Sequence, residues 1–268
     1  MRDCTALARL HIEAHGNGLP LVLAHGFGGS SRNFLPQARA LERTYRVWLY
    51  DARGHARSEA PSALESFGWP CLVSDFNRVV NQSLTEGASR KDDRVIAGGL
   101  SLGAATALFW AIRNQEAVKG LVLAAYPNCN AETRIWATNF ARQIEAEGID
   151  SAGNQFVWGP SGRFTAEDAR LIRRGFLEHS ALGLSAVLRQ AVAKIPDISK
   201  FSDDLDRFHV PTLIVAGAND TLSLATSRWI AATLPNAHLN IIENAGHVVN
   251  LSRPREFNEE LAKFLRGL

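Results

Sequence analysis

Residues 95–103 read Val-Ile-Ala-Gly-Gly-Leu-Ser-Leu-Gly, an apolar run that leads into a Gly-x-Ser-x-Gly pattern. The next residues, Ala-Ala-Thr-Ala-Leu at 104–108, favour a helix. A strand that turns into a helix at this pattern holds its central serine in a strained conformation, and the residues two places away on either side must be small. Gly99 and Gly103 satisfy this requirement, so the pattern predicts Ser101 as an exposed nucleophile.

Other short apolar runs lie on both sides of this stretch. They lack the alternation of half-exposed strands, and helical patterns follow several of them, which predicts an α/β fold with a mostly parallel, doubly wound sheet. The predicted strands cover residues 19–25, 46–50, 95–100, 118–126, 212–216 and 238–242. The clearest helices cover residues 102–113, 222–234 and 254–265.

The start of the chain contains a further strand pattern at residues 6–13. The sequence His-Gly-Asn-Gly at residues 15–18 separates it from the run at 19–24, and such a turn is typical of a β-hairpin. We therefore expect the sheet to begin with an antiparallel pair.

Strand patterns are absent between about residues 126 and 210, where helical patterns replace them. This interruption predicts a core made of residues 1–126 and 208–268, with a helical insertion at 127–207. Its aromatic side chains are candidates for the walls of an apolar substrate pocket, or for the insertion's own core. They are Trp136, Phe140 and Trp158, together with Phe156, Phe164 and Phe176.

A serine nucleophile needs a base, and the base needs a group that orients it. His247 follows the last predicted strand in a loop, where ligands of open α/β sheets bind. Asp220 follows the strand at 212–216 in the same way. Glu243 is a rival acid, but it lies within or beside the last strand, only four residues before His247. Ser101, Asp220 and His247 are therefore the predicted nucleophile, acid and base.

Composition excludes several other classes of function. The chain has 268 residues and a net charge of +2, without the basic stripe of a nucleic-acid-binding protein. No apolar run is long enough to span a membrane, and the N-terminus lacks the apolar core of a signal peptide. The three widely spaced cysteines suggest neither a disulfide framework nor a zinc site. We therefore expect incidental thiols in a cytoplasmic protein that binds a small molecule; the oligomeric state stays open.

Four segments in this order resemble the α/β-hydrolase superfamily over nearly the whole chain. They are His-Gly-Phe-Gly-Gly at residues 25–29, Asp-Ala-Arg-Gly-His-Ala-Arg-Ser at 51–58, the serine turn, and the acid and histidine segments. The order nucleophile, acid, base is that of the superfamily. The chain looks most like its small capped serine esterases, enol-lactonases, carbon–carbon bond hydrolases and cofactor-free perhydrolases.

The resemblance implies roles for further residues. The loop at 25–29 would form the oxyanion hole, with the N–H groups of Phe27 and Leu102 as donors. His25 would be a structural residue, and segment 51–58 would brace the core, although Ala56 stands where the family usually has glycine. The insertion would be a helical cap. The implied reaction is two-step acyl transfer to water, and it needs neither metal nor cofactor.

Ester or lactone hydrolysis is the leading expectation. The alternative is cleavage of a carbon–carbon bond in a vinylogous diketone acid, which would require a cap arginine for the substrate carboxylate. Candidates for this arginine are Arg134, Arg142, Arg163 and Arg189. A peroxide-dependent perhydrolase and a slow-turnover ligand sensor are further alternatives. A serine at the turn argues against the dehalogenase and epoxide-hydrolase branches, which use aspartate there.

Overall fold

The computed structural model describes residue 4, residues 7–86 and residues 93–268. Within these ranges, seven strands form one sheet in the order β1-β3-β2-β4-β5-β6-β7. The strands are β1 Ile12–His15, β2 Leu19–Ala24, β3 Tyr45–Tyr50, β4 Val95–Leu100, β5 Val118–Ala124, β6 Thr212–Gly217 and β7 Ala237–Ile242. The helices are α1 Leu35–Leu41, α2 Trp69–Thr85, α3 Leu102–Arg113, α4 Ala131–Gly153, α5 Ala166–Phe176, α6 Ala181–Gln190, α7 Ser202–Asp206, α8 Leu224–Thr233, α9 Val249–Ser252 and α10 Pro254–Arg266.

Helices cover both faces of this sheet. Buried side chains of α2, α3 and α8 pack on one face, and those of α1 and α10 pack on the other. Strands β4 and β6 are buried along their whole length. Their continuous apolar sequences are what a strand covered on both faces requires. The prediction of a mostly parallel α/β sheet is confirmed.

The antiparallel start of the sheet is confirmed, but the predicted pairing is wrong. Strand β1 pairs antiparallel with β3, and β2 lies on the other side of β3 in parallel. The intervening turn crosses the end of the α1–β3 connection. Gly16 and Gly18 have φ of +80° and +113°, and a Cβ on either would lie 2.2 Å from a backbone oxygen of that connection. Ala6, in the predicted first strand, lies outside the described residues.

The chain between β5 and β6 contains helices α4 to α7, as the interrupted pattern predicted. The longest, α4, is interrupted at Gly148, which has φ of +85°. Helix α4 packs against α6, and helix α5 packs against α9 of the core. The inserted segment and the core therefore meet at α5 and α9, and residues of both line one cavity.

Segment 51–58 braces the core through buried polar contacts. Arg53 and Asp75 form an ion pair of 2.6 Å, and both side chains are 1% exposed. Asp51 accepts hydrogen bonds from the Ser31 N–H and from the Arg57 side chain, at 2.7 and 2.9 Å. These contacts match the bracing role that the resemblance implies.

The cysteine prediction is wrong, because Cys4 and Cys71 form a disulfide across 67 residues. Only Cys129 is a free, buried thiol among the described residues. Disulfides persist mainly in oxidising compartments, so the cysteines give no support to a cytoplasmic location. Within the described ranges, no helix has the length and apolarity to cross a bilayer.

Candidate active site

Ser101 lies at the turn between β4 and α3 with φ 54° and ψ −114°, a strained conformation for a residue with a side chain. Its N–H donates to the carbonyl of Ala124, at 2.9 Å. The chain is crowded on both sides of the serine, because a Cβ on Gly99 would lie 2.5 Å from the backbone of Gly103. The small neighbours predicted from the pattern are therefore a steric requirement of this turn.

His247 and Asp220 meet at the carboxyl ends of β7 and β6. The Nδ1 of His247 lies 2.9 Å from Oδ2 of Asp220, and the two residues are 7% and 2% exposed. The loops that carry them approach closely because the residue at the end of β6 is Gly217. A Cβ there would lie 2.3 Å from the carbonyl oxygens of Ala245 and Gly246. Glu243, the rival acid, is exposed at the surface.

The Asp220 carboxylate is held in one orientation. Oδ2 accepts from the Ser223 hydroxyl as well as from His247, and Oδ1 accepts from the Leu222 N–H at 2.9 Å. Burial raises the pKa of Asp220, but the charge of His247 and these hydrogen bonds lower it by more than burial raises it. The pKa therefore lies below its usual value. The acid therefore favours its ionised form.

Burial lowers the pKa of His247, while the charge and hydrogen bond of Asp220 and the charge of Asp168 raise it. The net pKa is above that of an ordinary histidine. An imidazole in this setting, with Nδ1 held by a carboxylate, has Nε2 available for proton transfer.

Ser101 and His247 line one cavity of about 140 Å³ beneath the inserted helices. Most of its wall is apolar. The apolar lining residues are Phe27, Leu100, Leu102, Pro127, Trp136, Phe164, Ile172, Val192, Ile195, Leu222 and Val248. Glu132 and Arg163 also line it, and their side chains are 3.8 Å apart.

The predicted oxyanion loop lies beside Ser101 in this cavity. A Cβ on Gly26 would be 3.4 Å from the Ser101 Cβ, so the loop approaches the serine closely. The carbonyl of Gly26 accepts from His25 Nδ1 at 2.7 Å and from the Gly29 N–H at 3.0 Å. Because carbonyl and N–H of a trans peptide point in opposite directions, these bonds direct the Phe27 N–H away from His25.

Two further histidines hold the backbone of Gly28 in this loop. The Gly28 N–H donates to His55 Nε2 at 3.1 Å, and the Gly28 carbonyl accepts from His179 Nε2 at 2.9 Å. His179 Nδ1 accepts in turn from the Ala56 N–H at 2.8 Å. Ala56 adopts φ of 40° in this turn, the conformation for which the family usually employs glycine.

His179 was not predicted as a site residue, because only the fold brings α5 and α6 beside the loop at 25–29. His25, His55 and His179, the three histidines in or against the oxyanion loop, are buried. Burial is the main reason that the pKa of each lies below the usual value, and the pKa of His25 is about 4. The hydrogen-bond pattern of each ring requires one donor and one acceptor nitrogen, which is the neutral form.

Asp168, in the first turn of α5, is a second residue that the sequence did not indicate. Its carboxylate is fully buried and accepts the backbone N–H of His247 at 2.7 Å. Thr165, whose hydroxyl accepts the Asp168 N–H, precedes it as an N-cap. An acidic residue in a first helical turn is common, so the sequence offers no signal that would separate this one from an ordinary capping residue.

The predicted pocket aromatics divide into two groups. Trp136 and Phe164 line the cavity. The prediction is wrong for Phe140 and Trp158, which are not among its lining residues. Phe140 stacks on Phe176 with ring centres 6.0 Å apart, and Trp158 meets the edge of the same ring at 5.7 Å. They form the inserted segment's own apolar core, the alternative left open by the sequence.

Residues 21–260 match the family model described as the alpha/beta hydrolase family. A pimeloyl-[acyl-carrier protein] methyl ester esterase of Nitrosomonas europaea is 27% identical over 94% of this chain and 97% of its own. RutD of Agrobacterium fabrum, provisionally named a carbamate hydrolase, is 28% identical over 96% of this chain and 98% of its own. A thermophilic esterase from Thermogutta terrifontis has the same fold, with a TM-score of 0.80, 24% identity and coverage of 96% of this chain and 93% of its own. The chain therefore belongs to the alpha/beta hydrolase family.

Proposed function

We propose that this hydrolase cleaves a small carboxylic ester or lactone through an acyl-enzyme, with Ser101 as nucleophile, His247 as base and Asp220 as acid. One observation carries the proposal. A serine in a strained turn and a histidine bonded to a buried carboxylate, at 2.9 Å, line the same apolar cavity. The named methyl ester esterase among the relatives supports the choice of an ester.

In the first step, His247 Nε2 takes the hydroxyl proton as Ser101 Oγ bonds to the substrate carbonyl carbon. Asp220 stabilises the imidazolium, which then gives the proton to the departing alkoxide oxygen as the carbon–oxygen bond breaks. In the second step, His247 takes a proton from water as the water oxygen bonds to the acyl carbon. The imidazolium then gives this proton to Ser101 Oγ as the acyl carbon–Oγ bond breaks, which releases the acid.

We propose the N–H groups of Leu102 and Phe27 as the oxyanion donors. Leu102 is the first residue of α3, so its N–H has no acceptor within the helix. Its position at a helix N-terminus favours negative charge. The bonds on the Gly26 carbonyl hold the neighbouring Phe27 N–H in a fixed direction before the substrate binds.

Residues 127–207 act in this proposal as a cap over the core formed by 1–126 and 208–268. Trp136, Phe164 and Ile195 of this segment contribute apolar walls to the cavity. Exclusion of water by such walls strengthens the electrostatic interactions that the transition state requires.

The cavity lining favours an ester or lactone over the diketone acid. Of the four candidate arginines, Arg163 is the one that lines the cavity. The Arg163 guanidinium lies 3.8 Å from the Glu132 carboxylate and 5.7 Å from the centre of the Trp136 ring. A carboxylate substrate would have to compete with Glu132 for this cation.

The test is hydrolysis of short- and medium-chain p-nitrophenyl esters, together with an aryl carbamate and a coloured dienoate, by the wild type and by Ser101→Ala. We expect ester hydrolysis that is lost in Ser101→Ala and kept in Ser199→Ala, a matched change at an exposed serine. Faster turnover of the dienoate or the carbamate would reassign the substrate class.

A serine-directed phosphonate provides a second measurement. We expect one adduct on the wild type and none on Ser101→Ala, read by mass spectrometry of the intact protein. Ester hydrolysis that survives Ser101→Ala would contradict the proposed nucleophile. Absence of both hydrolysis and labelling in the wild type would favour the ligand-sensor alternative.

A further inference from the structure

The first turn of helix α5 lies directly against the loop that carries His247. Asp168 Oδ2 is 2.7 Å from the His247 backbone nitrogen. The approach depends on Gly246, because a Cβ there would lie 2.0 Å from the same oxygen. The other oxygen, Oδ1, is buried without a hydrogen-bond partner. A fully buried carboxylate with one unsatisfied oxygen is costly to the fold, so its presence beside a catalytic base calls for a functional explanation.

Two other contacts join α5 to the same region. The Phe164 ring, just before α5, packs nearly perpendicular to the His247 imidazole, with ring centres 5.4 Å apart and an interplanar angle of 82°. Glu167 forms an ion pair of 2.9 Å with Arg253, just before α10. Phe164 and Asp168 therefore contact the base loop, and Glu167 ties the first turn of α5 to the residue before α10.

The opposite end of α5 is fixed against the oxyanion loop. A Cβ on Gly28, which has φ of +69°, would lie 2.1 Å from the Phe176 ring. His179, just beyond the helix, holds the Gly28 carbonyl at 2.9 Å. Because both ends are anchored, Asp168 has little freedom to move away from His247.

We propose that Asp168 is a positioning residue of the active site: from the inserted helix, it fixes the backbone of His247 and supports the imidazolium with its negative charge. The inference rests on the proposed function. His247 then lies between two carboxylates, Asp220 at the ring and Asp168 at the main chain. The charge of Arg253, the ion-pair partner of Glu167, acts on Asp168, and Glu132 and Arg163 line the same cavity as His247.

The sign of the electrostatic effect follows from this arrangement. A carboxylate near an imidazole favours its protonated form, so removing the charge of Asp168 lowers the pKa of His247. The proposed base acts when neutral, and the acidic limb of kcat/KM reports the pKa of the base in the free enzyme. Asp168→Asn keeps an oxygen that can accept the His247 N–H, and it replaces the charged carboxylate with a neutral amide.

The experiment is the pH dependence of kcat/KM for the wild type, Asp168→Asn and the matched control Asp203→Asn, at an exposed position of α7. We expect the acidic limb of Asp168→Asn to move to lower pH by about half a unit to one unit, and that of Asp203→Asn to stay in place. An unchanged limb in Asp168→Asn, or an equal shift in Asp203→Asn, would overturn the inference, because an anchor without electrostatic effect would leave the profile unmoved.

Titration of the His247 ring by NMR gives the same comparison without a substrate. Its pKa should fall in Asp168→Asn, and an unaltered pKa would contradict the inference. Asp168→Ala also removes the hydrogen bond to the His247 N–H. We expect kcat to fall by roughly ten- to a hundredfold, with a smaller change in KM. If the wild type hydrolyses no ester and resists the phosphonate, the proposed function fails; if only the Asp168 comparisons fail, that function stands and this inference does not.

Discussion

Gly103, in the first turn of α3, lies so close to Ala24 at the end of β2 that a Cβ on it would be 2.0 Å from the Ala24 carbonyl oxygen. Ala24 is part of a fully buried strand segment and cannot move aside without disturbing its neighbours. We expect Gly103→Ala to destabilise the protein by at least about 2 kcal/mol. Urea unfolding followed by circular dichroism measures the change.

Gly175 provides the control for this substitution. It also lies in a helix, α5, but no atom lies within 4 Å of the place where its Cβ would be. Gly175→Ala should therefore raise the free energy of unfolding by about 0.5–1 kcal/mol, as replacement of an unhindered helical glycine by alanine typically does. Equal effects at both positions would show that the contact with Ala24 does not limit the turn.

The parts of this molecule that are encoded by neighbouring residues were predictable. Strand β4 and helix α3 have the predicted bounds, 95–100 and 102–113, because an unbroken apolar run and a glycine-flanked turn are local signals. Ser101, Asp220 and His247 were each placed at the end of a predicted strand, and parallel strands bring such ends together. The fold and the candidate site thus follow from patterns of a few residues each, while the catalytic roles stay predictions.

The features that were missed join distant parts of the chain. Asp168 and His247 are 79 residues apart, and His179 lies 151 residues from the carbonyl that it binds. The disulfide of Cys4 spans 67 residues. No local pattern encodes such pairs, since each depends on how the inserted helices and the N-terminal segment pack on the finished sheet.

Asp220→Asn tests the orientation of the base. An amide at this position can present its NH₂ group to His247 and leave the imidazole in the wrong tautomer, as well as removing the charge that stabilises the imidazolium. We expect kcat for ester hydrolysis to fall by about 10³–10⁴ with little change in KM. Glu243→Gln, a matched change at the exposed rival acid, should keep wild-type activity, and a larger loss there would reverse the assignment.

The disulfide should contribute measurably to stability. A bond that closes a loop of this length removes conformational freedom from the unfolded chain and typically contributes about 2–4 kcal/mol. Dithiothreitol should therefore lower Tm of the wild type and leave Tm of Cys4→Ser unaltered. A wild-type Tm that does not respond to full reduction, verified by thiol counting, would show that the cross-link adds no stability.

Stability should decline as the solution becomes acidic from pH 6.5 to about 4. The pKa of His25 is about 4 in the folded protein and 6.5 in an ordinary histidine, so below pH 6.5 the unfolded chain takes up a proton that the folded protein does not. This difference corresponds to about 3 kcal/mol for full titration of His25, and the lowered pKa values of His55 and His179 act in the same direction.

The raised pKa of His247 opposes this trend, because it adds stability below pH 6.5 that is lost as the pH rises through the folded value. The three histidines with lowered pKa values outweigh His247, so the free energy of unfolding should fall on the acidic side. Urea unfolding at pH 7, 5.5 and 4.5 measures it, and His209→Gln, at an exposed position, should show the same dependence. Constant stability across this range would contradict the conclusion that His25, His55 and His179 are neutral in the folded protein.

The size of the cavity should set the length of the substrate. Its volume of about 140 Å³ is close to that of an engineered apolar cavity of about 150 Å³ that binds benzene, so we expect short-chain p-nitrophenyl esters to react fastest.

Trp136 forms part of the wall and also borders a groove on the outer side of the inserted segment. Trp136→Ala should therefore join the two spaces and shift the preference toward longer acyl chains, with kcat/KM for an eight-carbon ester rising relative to a four-carbon ester. Trp229→Ala, at the partly exposed tryptophan of α8, should leave that ratio unchanged, and an unchanged ratio in Trp136→Ala would mean that this side chain does not limit the acyl site.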